Sequence, residues 1–211
     1  MSLRTAILIF DDVEVLDFAG PFEVFSVTGR RQKLEPFDVY TVAERPGPIV
    51  ARNSLSINPR YAFADCPAPE ILVVPGGFGT RREMNNPVMI EWISRVAPDC
   101  RLVLSVCTGA LVLGRAGLLT GQEATTHFMA FDELRAAAPD SIVRPDRRIV
   151  DNGNIVMSAG VSAGIDMSLH VVARLLGAEV ARETARYMEY EGSWEAAIPA
   201  GSPASSTDHS E

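Results

Sequence analysis

The hydrophobic residues of the chain fall into short, nearly uninterrupted apolar runs that alternate with amphipathic stretches. Runs rich in Ile, Leu and Val are typical of parallel strands that are covered on both faces of a sheet. The amphipathic stretches repeat apolar residues three and four positions apart, as in a helix that packs on a core. The predicted strands are residues 5–10, 37–42, 71–74 and 102–106, and the predicted helices are about 17–27, 87–97, 128–138, 165–176 and 178–190, with one more ending near 116.

Strands that alternate with helices predict an α/β fold with helices on both faces of a mostly parallel central sheet. Shorter extended pieces predict a hairpin from residues 49–50 and 55–57 and another around the Asn152-Gly153 turn. We expect one domain, residues 1–191. Residues 192–211 are rich in Ser, Pro and Ala and have little to bury, so they predict a loosely ordered polar tail.

The charge of the chain narrows the classes of partner. The chain has 19 Lys and Arg against 27 Asp and Glu, a net charge of −8, whereas nucleic acids and anionic membranes attract basic proteins. No apolar run approaches the roughly 20 residues that a membrane helix needs. We therefore expect a small-molecule substrate or copies of the same chain as partners, with no nucleic acid and no membrane.

The cysteines and histidines lack the spacing of a metal site. Cys66, Cys100 and Cys107 have no CxxC pattern, and the three histidines do not complete one with them. We therefore expect no metal ion. An odd number of cysteines and the absence of a signal peptide predict a reducing compartment, and so a cytoplasmic location.

Cys107 lies where a predicted strand meets a predicted helix. The strand 102–106 ends abruptly at this cysteine, and Thr108-Gly109 opens the next helix. A sharp strand-to-helix turn lifts its central side chain out of the sheet and leaves N–H groups of the helix unpaired beside it. This nucleophile elbow predicts a reactive thiolate with a lowered pKa. On local sequence alone, a small buried cysteine without a chemical role is the better interpretation.

Two other strand ends carry polar or glycine-rich sequence. Asp17 follows the first strand, and Gly76-Gly77 follows strand 71–74. Parallel sheets bind ligands at the carboxyl ends of their strands, so Asp17, Gly77 and Cys107 are expected to meet in one pocket. Asp17 is either a helix cap or the acid/base partner of Cys107, its pKa raised by burial and by the neighbouring thiolate. The N–H groups of Gly77 and Thr108 are candidate anion donors, and the Thr108 hydroxyl is a candidate contact for substrate or water.

His127 is the one histidine considered for catalysis. It follows a short extended piece near the same sheet region, yet no Asp or Glu that would orient it lies nearby in sequence. We favour a structural hydrogen-bonding role for His127 over a catalytic one. His170 falls in an apolar helix and is expected to be a satisfied core residue.

Five motifs, in this order, resemble the ThiJ/PfpI superfamily. Their order and spacing are most similar to the branch that contains isocyanide hydratases and the amidase-like domains of AraC-type regulators, over residues 5–189. The motifs are Leu16-Asp17-Phe18-Ala19-Gly20-Pro21, Val74-Pro75-Gly76-Gly77, Ser105-Val106-Cys107-Thr108-Gly109, Ala124-Thr125-Thr126-His127 and the run from Ser158 to Asp166.

The resemblance implies a flavodoxin-like three-layer sandwich, a homodimer and no metal or organic cofactor. It also implies that Cys107 attacks the terminal carbon of an isocyanide, that Asp17 handles the protons, and that water releases an N-substituted formamide from a thioimidate. Gly76, Gly77, Thr108 and the backbone around Val161 would line the pocket.

The chain departs from other branches of the superfamily at two positions. Thr108 stands where protease-like members have a histidine, so a protease-type Cys-His dyad is lacking. Asp17 stands where the parkinsonism-associated branch has a glutamate. The alternative to a hydratase is a non-catalytic sensor of small molecules or oxidative stress, in which Cys107 is oxidised rather than turning substrate over.

Overall fold

The computed structural model describes residues 2–197, and seven of the strands within this range form the central sheet. The strands along the chain are β1 (Leu3–Leu8), β2 (Phe37–Ala43), β3 (Ile49–Val50), β4 (Ser56–Ile57), β5 (Tyr61–Ala62), β6 (Ile71–Val74), β7 (Leu102–Val106), β8 (Glu123–Ala124), β9 (Ile142–Val143), β10 (Ile149–Asp151) and β11 (Ile155–Ser158). The order of the central sheet is β10-β11-β7-β6-β1-β2-β5, parallel throughout except for β10 at one edge.

Helices cover both faces of this sheet, so the predicted flavodoxin-like three-layer sandwich is confirmed. The helices are α1 (Val15–Val27), α2 (Thr80–Glu83), α3 (Pro87–Val96), α4 (Gly109–Arg115), α5 (Phe131–Ala137), α6 (Ala163–Leu176) and α7 (Ala178–Tyr187). Three helices pack together on one side, α1, α6 and α7, while α2, α3 and α5 pack against α4 on the other.

The centre of the sheet explains why three distant motifs meet. Every residue of β6 and β7 is buried, as the uninterrupted apolar runs predict for strands covered on both faces. β6 pairs with β1 on one side and with β7 on the other, in the registers Ile7–Val73 and Val74–Ser105. The carboxyl ends of the three strands therefore lie side by side, and the loops that follow them share one edge.

Two helices differ from their predicted form. The helix predicted from residue 128 begins at Phe131, because Ala130 N–H bonds the His127 carbonyl at 2.8 Å in a turn that leaves Phe128 and Met129 exposed. The helix predicted over about 87–97 ends at Val96 as α3, and its buried residues are Met89, Trp92 and Ile93.

The folded part extends beyond the predicted domain end at residue 191. Trp194 is buried, and Glu195 pairs with Arg182 of α7 at 2.9 Å. The beginning of the predicted tail is therefore part of the domain, since a buried indole anchors it, and residues 198–211 of that tail lie outside the described residues.

His170 is buried in α6, as predicted, but is only partly satisfied. Its Nε2 lies 2.7 Å from Asp151, whereas its Nδ1 has no hydrogen-bond partner among residues 2–197.

Over residues 2–197, no helix has both the length and the apolar character needed to cross a bilayer. Nor does that part of the chain bring three or more His, Cys, Asp or Glu side chains together as a metal site.

Candidate active site

Cys107 occupies the sharp turn that the sequence predicts between β7 and α4. Its φ of 57° lies in the left-handed region, which a residue with a side chain rarely adopts. Its N–H donates to the carbonyls of Ser158 and Ala159 at 3.2 and 3.1 Å, and its carbonyl accepts the Thr126 hydroxyl at 2.8 Å. Hydrogen bonds on both sides of the residue therefore hold the strained conformation and fix the position of the thiol.

Gly109 allows the helix after Cys107 to approach the sheet. A Cβ at this position would lie 2.0 Å from the carbonyl oxygen of Val74. Only glycine fits between α4 and the end of β6, so Gly109 brings the turn at Cys107 against the Gly76 loop.

Asp17 points into the same site from the first turn of α1. Its side chain is fully buried, and Oδ2 accepts the N–H of Gly76 at 3.0 Å. Its Oδ1 is buried with no partner of good hydrogen-bond geometry among the described residues. The interpretation of Asp17 as a helix cap is thus wrong, because the carboxyl bonds a neighbouring loop and caps no N–H of its own helix.

The pKa values of Asp17 and Cys107 are both raised. Burial raises the pKa of Asp17 to about 7, while contacts with the Cys107 thiol and with the N–H groups of Gly76 and Val161 oppose that rise. Burial, followed by the charge of Asp17, raises the pKa of Cys107 to about 12. At neutral pH the cysteine is therefore a thiol, and the carboxyl beside it is divided between its two protonation states.

The predicted lowering of the Cys107 pKa is wrong. The N–H groups of Thr108 and Val161 do favour the thiolate, as expected at an elbow. However, their effect is smaller than that of removing the thiol from water next to a carboxylate. Cys107 is therefore a thiol at neutral pH, in place of the preformed thiolate that the sequence predicted.

The glycine loop after β6 packs directly against Thr108 and Asp17. A Cβ on Gly76 would lie 2.6 Å from the Thr108 nitrogen and 2.7 Å from Asp17 Oδ2. Gly77, with φ at 130°, donates its N–H to the Thr108 hydroxyl at 3.0 Å. Gly77 is therefore not the anion donor that we predicted, since its N–H is occupied, whereas the N–H of Thr108 does face the thiol.

The Thr108 hydroxyl has an internal role in place of the predicted contact with substrate or water. It donates to the Gly77 carbonyl at 3.1 Å and accepts from the hydroxyl of Thr80 at the same distance. Both threonines are buried. The hydroxyl therefore ties the glycine loop to α4, and the backbone of Thr108 is the part that reaches Cys107.

Val161 completes the site from the loop between β11 and α6. Its φ of 50° is a strained value for a β-branched residue. In this conformation its N–H faces the Asp17 carboxyl and the Cys107 sulfur and lowers the pKa of both groups, without making a hydrogen bond of good geometry to either. Val161 therefore approaches Asp17 and Cys107 through its backbone, and its role in lining a substrate pocket stays a prediction.

His127 lies next to the loop that contains Val161 and packs against Gly160 of that loop. Its Nδ1 accepts the N–H of Met129 at 3.3 Å, and its ring packs so closely on Gly160 that a Cβ there would lie 2.2 Å from the imidazole. Within residues 2–197, no hydrogen bond joins His127 to Cys107 or Asp17. This geometry agrees with a structural role for His127.

Sequence reasoning missed Thr80 and Thr126. Both are fully buried, and each bonds a residue of the site, Thr108 and Cys107 respectively. Thr126 stands in one of the five motifs, next to His127, and a buried threonine beside a strained turn is a recognisable source of a hydrogen bond. Thr80 gave no comparable signal, because its partner comes from another strand end.

Comparison with known proteins places these observations in a family. A family model described as "DJ-1/PfpI family" matches residues 3–174. An isonitrile hydratase of Pseudomonas putida is 34% identical over 190 residues, which cover 90% of this chain and 79% of the hydratase. The crystal structure of a ThiJ/PfpI family protein from Pseudomonas syringae superposes with a TM-score of 0.82 at 30% identity, covering 92% of this chain and 77% of that protein.

A transcriptional regulator carries the same kind of domain. The HTH-type regulator CdhR of Pseudomonas aeruginosa is 29% identical over 168 residues, which cover 74% of this chain and 49% of the regulator. The chain thus spans about half the length of this relative. Relatives with this domain accordingly include both an enzyme and a regulator.

Proposed function

The chain belongs to the DJ-1/PfpI family, and on that premise we propose that it is a cysteine-dependent hydratase that converts small isocyanides to N-substituted formamides. One observation carries the proposal: a buried carboxyl whose pKa is raised to about 7 faces the buried thiol of Cys107. A general base is most effective when its pKa lies near the working pH. The similarity to an isonitrile hydratase supports the choice of substrate.

In the first half of the proposed reaction, the Asp17 carboxylate takes the Cys107 proton as the sulfur bonds to the terminal carbon of the isocyanide. The same carbon then receives that proton from Asp17, which gives a thioimidate, R–N=CH–S–Cys107. The N–H groups of Thr108 and Val161 stabilise negative charge on the sulfur during these steps.

In the second half, Asp17 takes a proton from water as the water oxygen adds to the thioimidate carbon, and Asp17 then gives that proton to the nitrogen. The carbon–sulfur bond then breaks, the oxygen becomes the formamide carbonyl, and the remaining proton returns to Cys107. The sum is R–NC plus H₂O giving R–NH–CHO, so neither an oxidant nor a reductant is required.

The direct test is formamide production by the purified protein. We expect cyclohexyl isocyanide to give N-cyclohexylformamide, with ¹⁸O from labelled water in its carbonyl. Cys107→Ala and Asp17→Asn are each expected to abolish turnover. Cys100→Ala is the matched control, because this thiol bonds the carbonyls of Pro69 and Val96 away from the site. Absence of formamide across a panel of alkyl and aryl isocyanides would contradict the proposal.

The pH dependence gives a second test. Asp17 must be ionised to accept the thiol proton, so turnover is expected to rise with pH and level off above about 7, the pKa of this carboxyl. A thiolate formed without Asp17 would instead raise the rate continuously towards the much higher pKa of Cys107. A profile without a step near neutral pH would remove Asp17 from the role of base.

The second candidate function is a non-catalytic small-molecule sensor, favoured by the match to half of a regulator. In that case an isocyanide or related ligand would bind, and stabilise the protein against heat, without being consumed. Sensing through oxidation of Cys107 fits the site less well, because peroxide reacts with thiolates and burial raises the pKa of this thiol to about 12.

We also propose a homodimer in the cytoplasm. The dimer follows the family resemblance and provides a partner for exposed apolar side chains near the site, Phe78, Phe128 and Met129. A free thiol as nucleophile is suited to a reducing compartment. Sedimentation of the purified protein tests the dimer, and a mass equal to one chain at micromolar concentration would refute it.

A further inference from the structure

The loop that contains Val161 must be held in its conformation by neighbouring residues. It runs from Ala159 to Ser162 between β11 and α6, and Val161 adopts a strained left-handed conformation within it. Such conformations persist only where the surroundings over-determine them. His127 confines the loop on one side by packing on Gly160.

Arg148 bonds both ends of the loop, one through its main chain and the other through its side chain. Arg148 accepts the N–H of Ala159 with its carbonyl at 2.8 Å and donates from Nη2 to the Ser162 hydroxyl at 3.3 Å. The same guanidinium donates from Nε to Oδ2 of Asp166 at 2.7 Å, and its Nη2 is equally close. One residue thus bonds the positions before and after the strained segment and also the first turn of α6.

Asp166 is the buried partner of this pair. Its side chain is 1% exposed, and its Oδ1 accepts the hydroxyl of Tyr190 at 3.1 Å, so both carboxylate oxygens are bound. The Arg148 side chain is 45% exposed, so only the carboxylate of the pair is buried. Loss of the guanidinium would leave that buried carboxylate without its charged partner, which is unfavourable. The pair is therefore well suited to fixing a conformation.

We propose that Arg148 and Asp166 are positioning residues, whose ion pair holds the N–H of Val161 on the thiol of Cys107 and the carboxyl of Asp17. The proposal rests on the proposed function only for its effect on turnover. Its effect on the site itself is independent of any substrate, because the Val161 N–H favours the Asp17 carboxylate in the resting protein.

The experiment compares Arg148→Gln with Arg147→Gln in the full chain. Both changes remove one positive charge, but the Arg147 side chain is exposed and its ion pair is with Asp146 alone in the described part of the chain. The ionisation of Asp17 is followed by ¹³C NMR of labelled aspartate carboxyls, assigned with Asp17→Asn. This readout does not depend on turnover, so it separates failure of the positioning proposal from failure of the proposed function.

With Arg148→Gln, the Asp17 midpoint is expected to rise above that of Arg147→Gln by about one pKa unit, a tenfold change in the dissociation constant. The rise follows because the Val161 N–H favours the carboxylate. On isocyanide, kcat is expected to fall about 10- to 100-fold with KM changed less than about threefold, as for a misplaced transition-state donor.

Two milder variants keep the test decisive if Arg148→Gln does not fold. Arg148→Lys keeps the charge without the planar fork, and Tyr190→Phe removes one bond to Asp166 and leaves the ion pair. Each is expected to give a smaller upward shift of the Asp17 midpoint. If the folded variants of Arg148 and Tyr190 keep the midpoint measured for Arg147→Gln, the ion pair has a structural role only and the proposal is overturned.

Discussion

Replacing Asp17 by Asn is expected to make Cys107 easier to alkylate while it abolishes hydration. The charge of Asp17 and the contact between the two groups both help to raise the pKa of the thiol. An amide of nearly the same shape removes the charge and also the base. A single substitution therefore moves thiol reactivity and turnover in opposite directions, which general damage to the site would not do.

The size of the effect follows from the pKa values. With a pKa of about 12, only about one Cys107 in 10⁴ is ionised at pH 8. A neighbouring like charge shifts a pKa by about 1–3 units. Asp17→Asn is therefore expected to raise the alkylation rate at pH 8 about 10- to 1000-fold. Burial remains, so the thiol does not become as reactive as a free cysteine.

The assay is alkylation by iodoacetamide at pH 8, stopped at intervals and quantified by peptide mass spectrometry. Cys66 and Cys100 of the same molecule report any general loosening of the fold, because both are partly buried and Asp17 does not contribute to the pKa shift of either thiol. Asp12→Asn is the matched variant, a carboxyl-to-amide change at an exposed position.

The refuting result is equally specific. If Cys107 in Asp17→Asn reacts no faster than in the unmodified chain, while Cys66 and Cys100 react as before, the charge of Asp17 does not restrain the thiol. This result would contradict the assignment of Asp17 as the base that deprotonates Cys107.

Four further outcomes follow from the same contacts. The free energy of unfolding should fall by up to about 4 kcal/mol as pH rises from about 4 to 7, because folded Asp17, with its raised pKa, keeps a proton that the unfolded chain has lost. Urea titrations should show this fall, and a pH dependence as flat as that of Asp17→Asn would contradict it. Gly76→Ala should lose turnover and about 1–3 kcal/mol of stability, since its Cβ would meet Thr108 and Asp17, and an active variant would show that the loop can move. Thr126→Val should lose about 1 kcal/mol, because the Cys107 carbonyl keeps only its longer bond from the Ala110 N–H at 3.5 Å. Thr126→Ser should restore the lost stability, and equal urea midpoints for the two variants would refute the role of the hydroxyl. Trp194→Ala should lose about 3–5 kcal/mol, and an unchanged midpoint would mean that residues 192–197 contribute nothing to the fold.

The meeting of Asp17, Gly76 and Cys107 could be predicted because it depends on topology. Each follows a buried apolar strand, and parallel strands bring their carboxyl ends to one edge of a sheet. The order β7-β6-β1 then makes the three loops immediate neighbours. Hydrophobic pattern alone was enough for this part of the site.

The pKa of Cys107 could not be predicted in the same way. The turn and the helix that follow it are visible in sequence, and both favour a thiolate. Burial depends on side chains from the whole domain, and it determines the direction of the shift. A local motif therefore identified the residue but gave the wrong sign for its acidity.

Hydrogen-bond partners were the least predictable part of the site. Gly77 was expected to donate its N–H to an anion, but this N–H bonds the Thr108 hydroxyl, so the two groups are already paired with each other. Thr126 and Thr80 act across long sequence distances. Which donor meets which acceptor depends on differences of about an ångström, which periodicity and motif order do not encode.

The N–H groups that face the reacting atoms belong to the main chain, at Gly76, Thr108 and Val161. Only two side chains, those of Asp17 and Cys107, take part in the proton transfers proposed for this site. Because a substitution changes a side chain and leaves the peptide N–H in place, replacing the exposed side chains of Phe78, Phe128 and Met129 would remove none of these donors. Under the proposed mechanism, the groups that transfer protons can therefore be mutated separately from the exposed apolar surface.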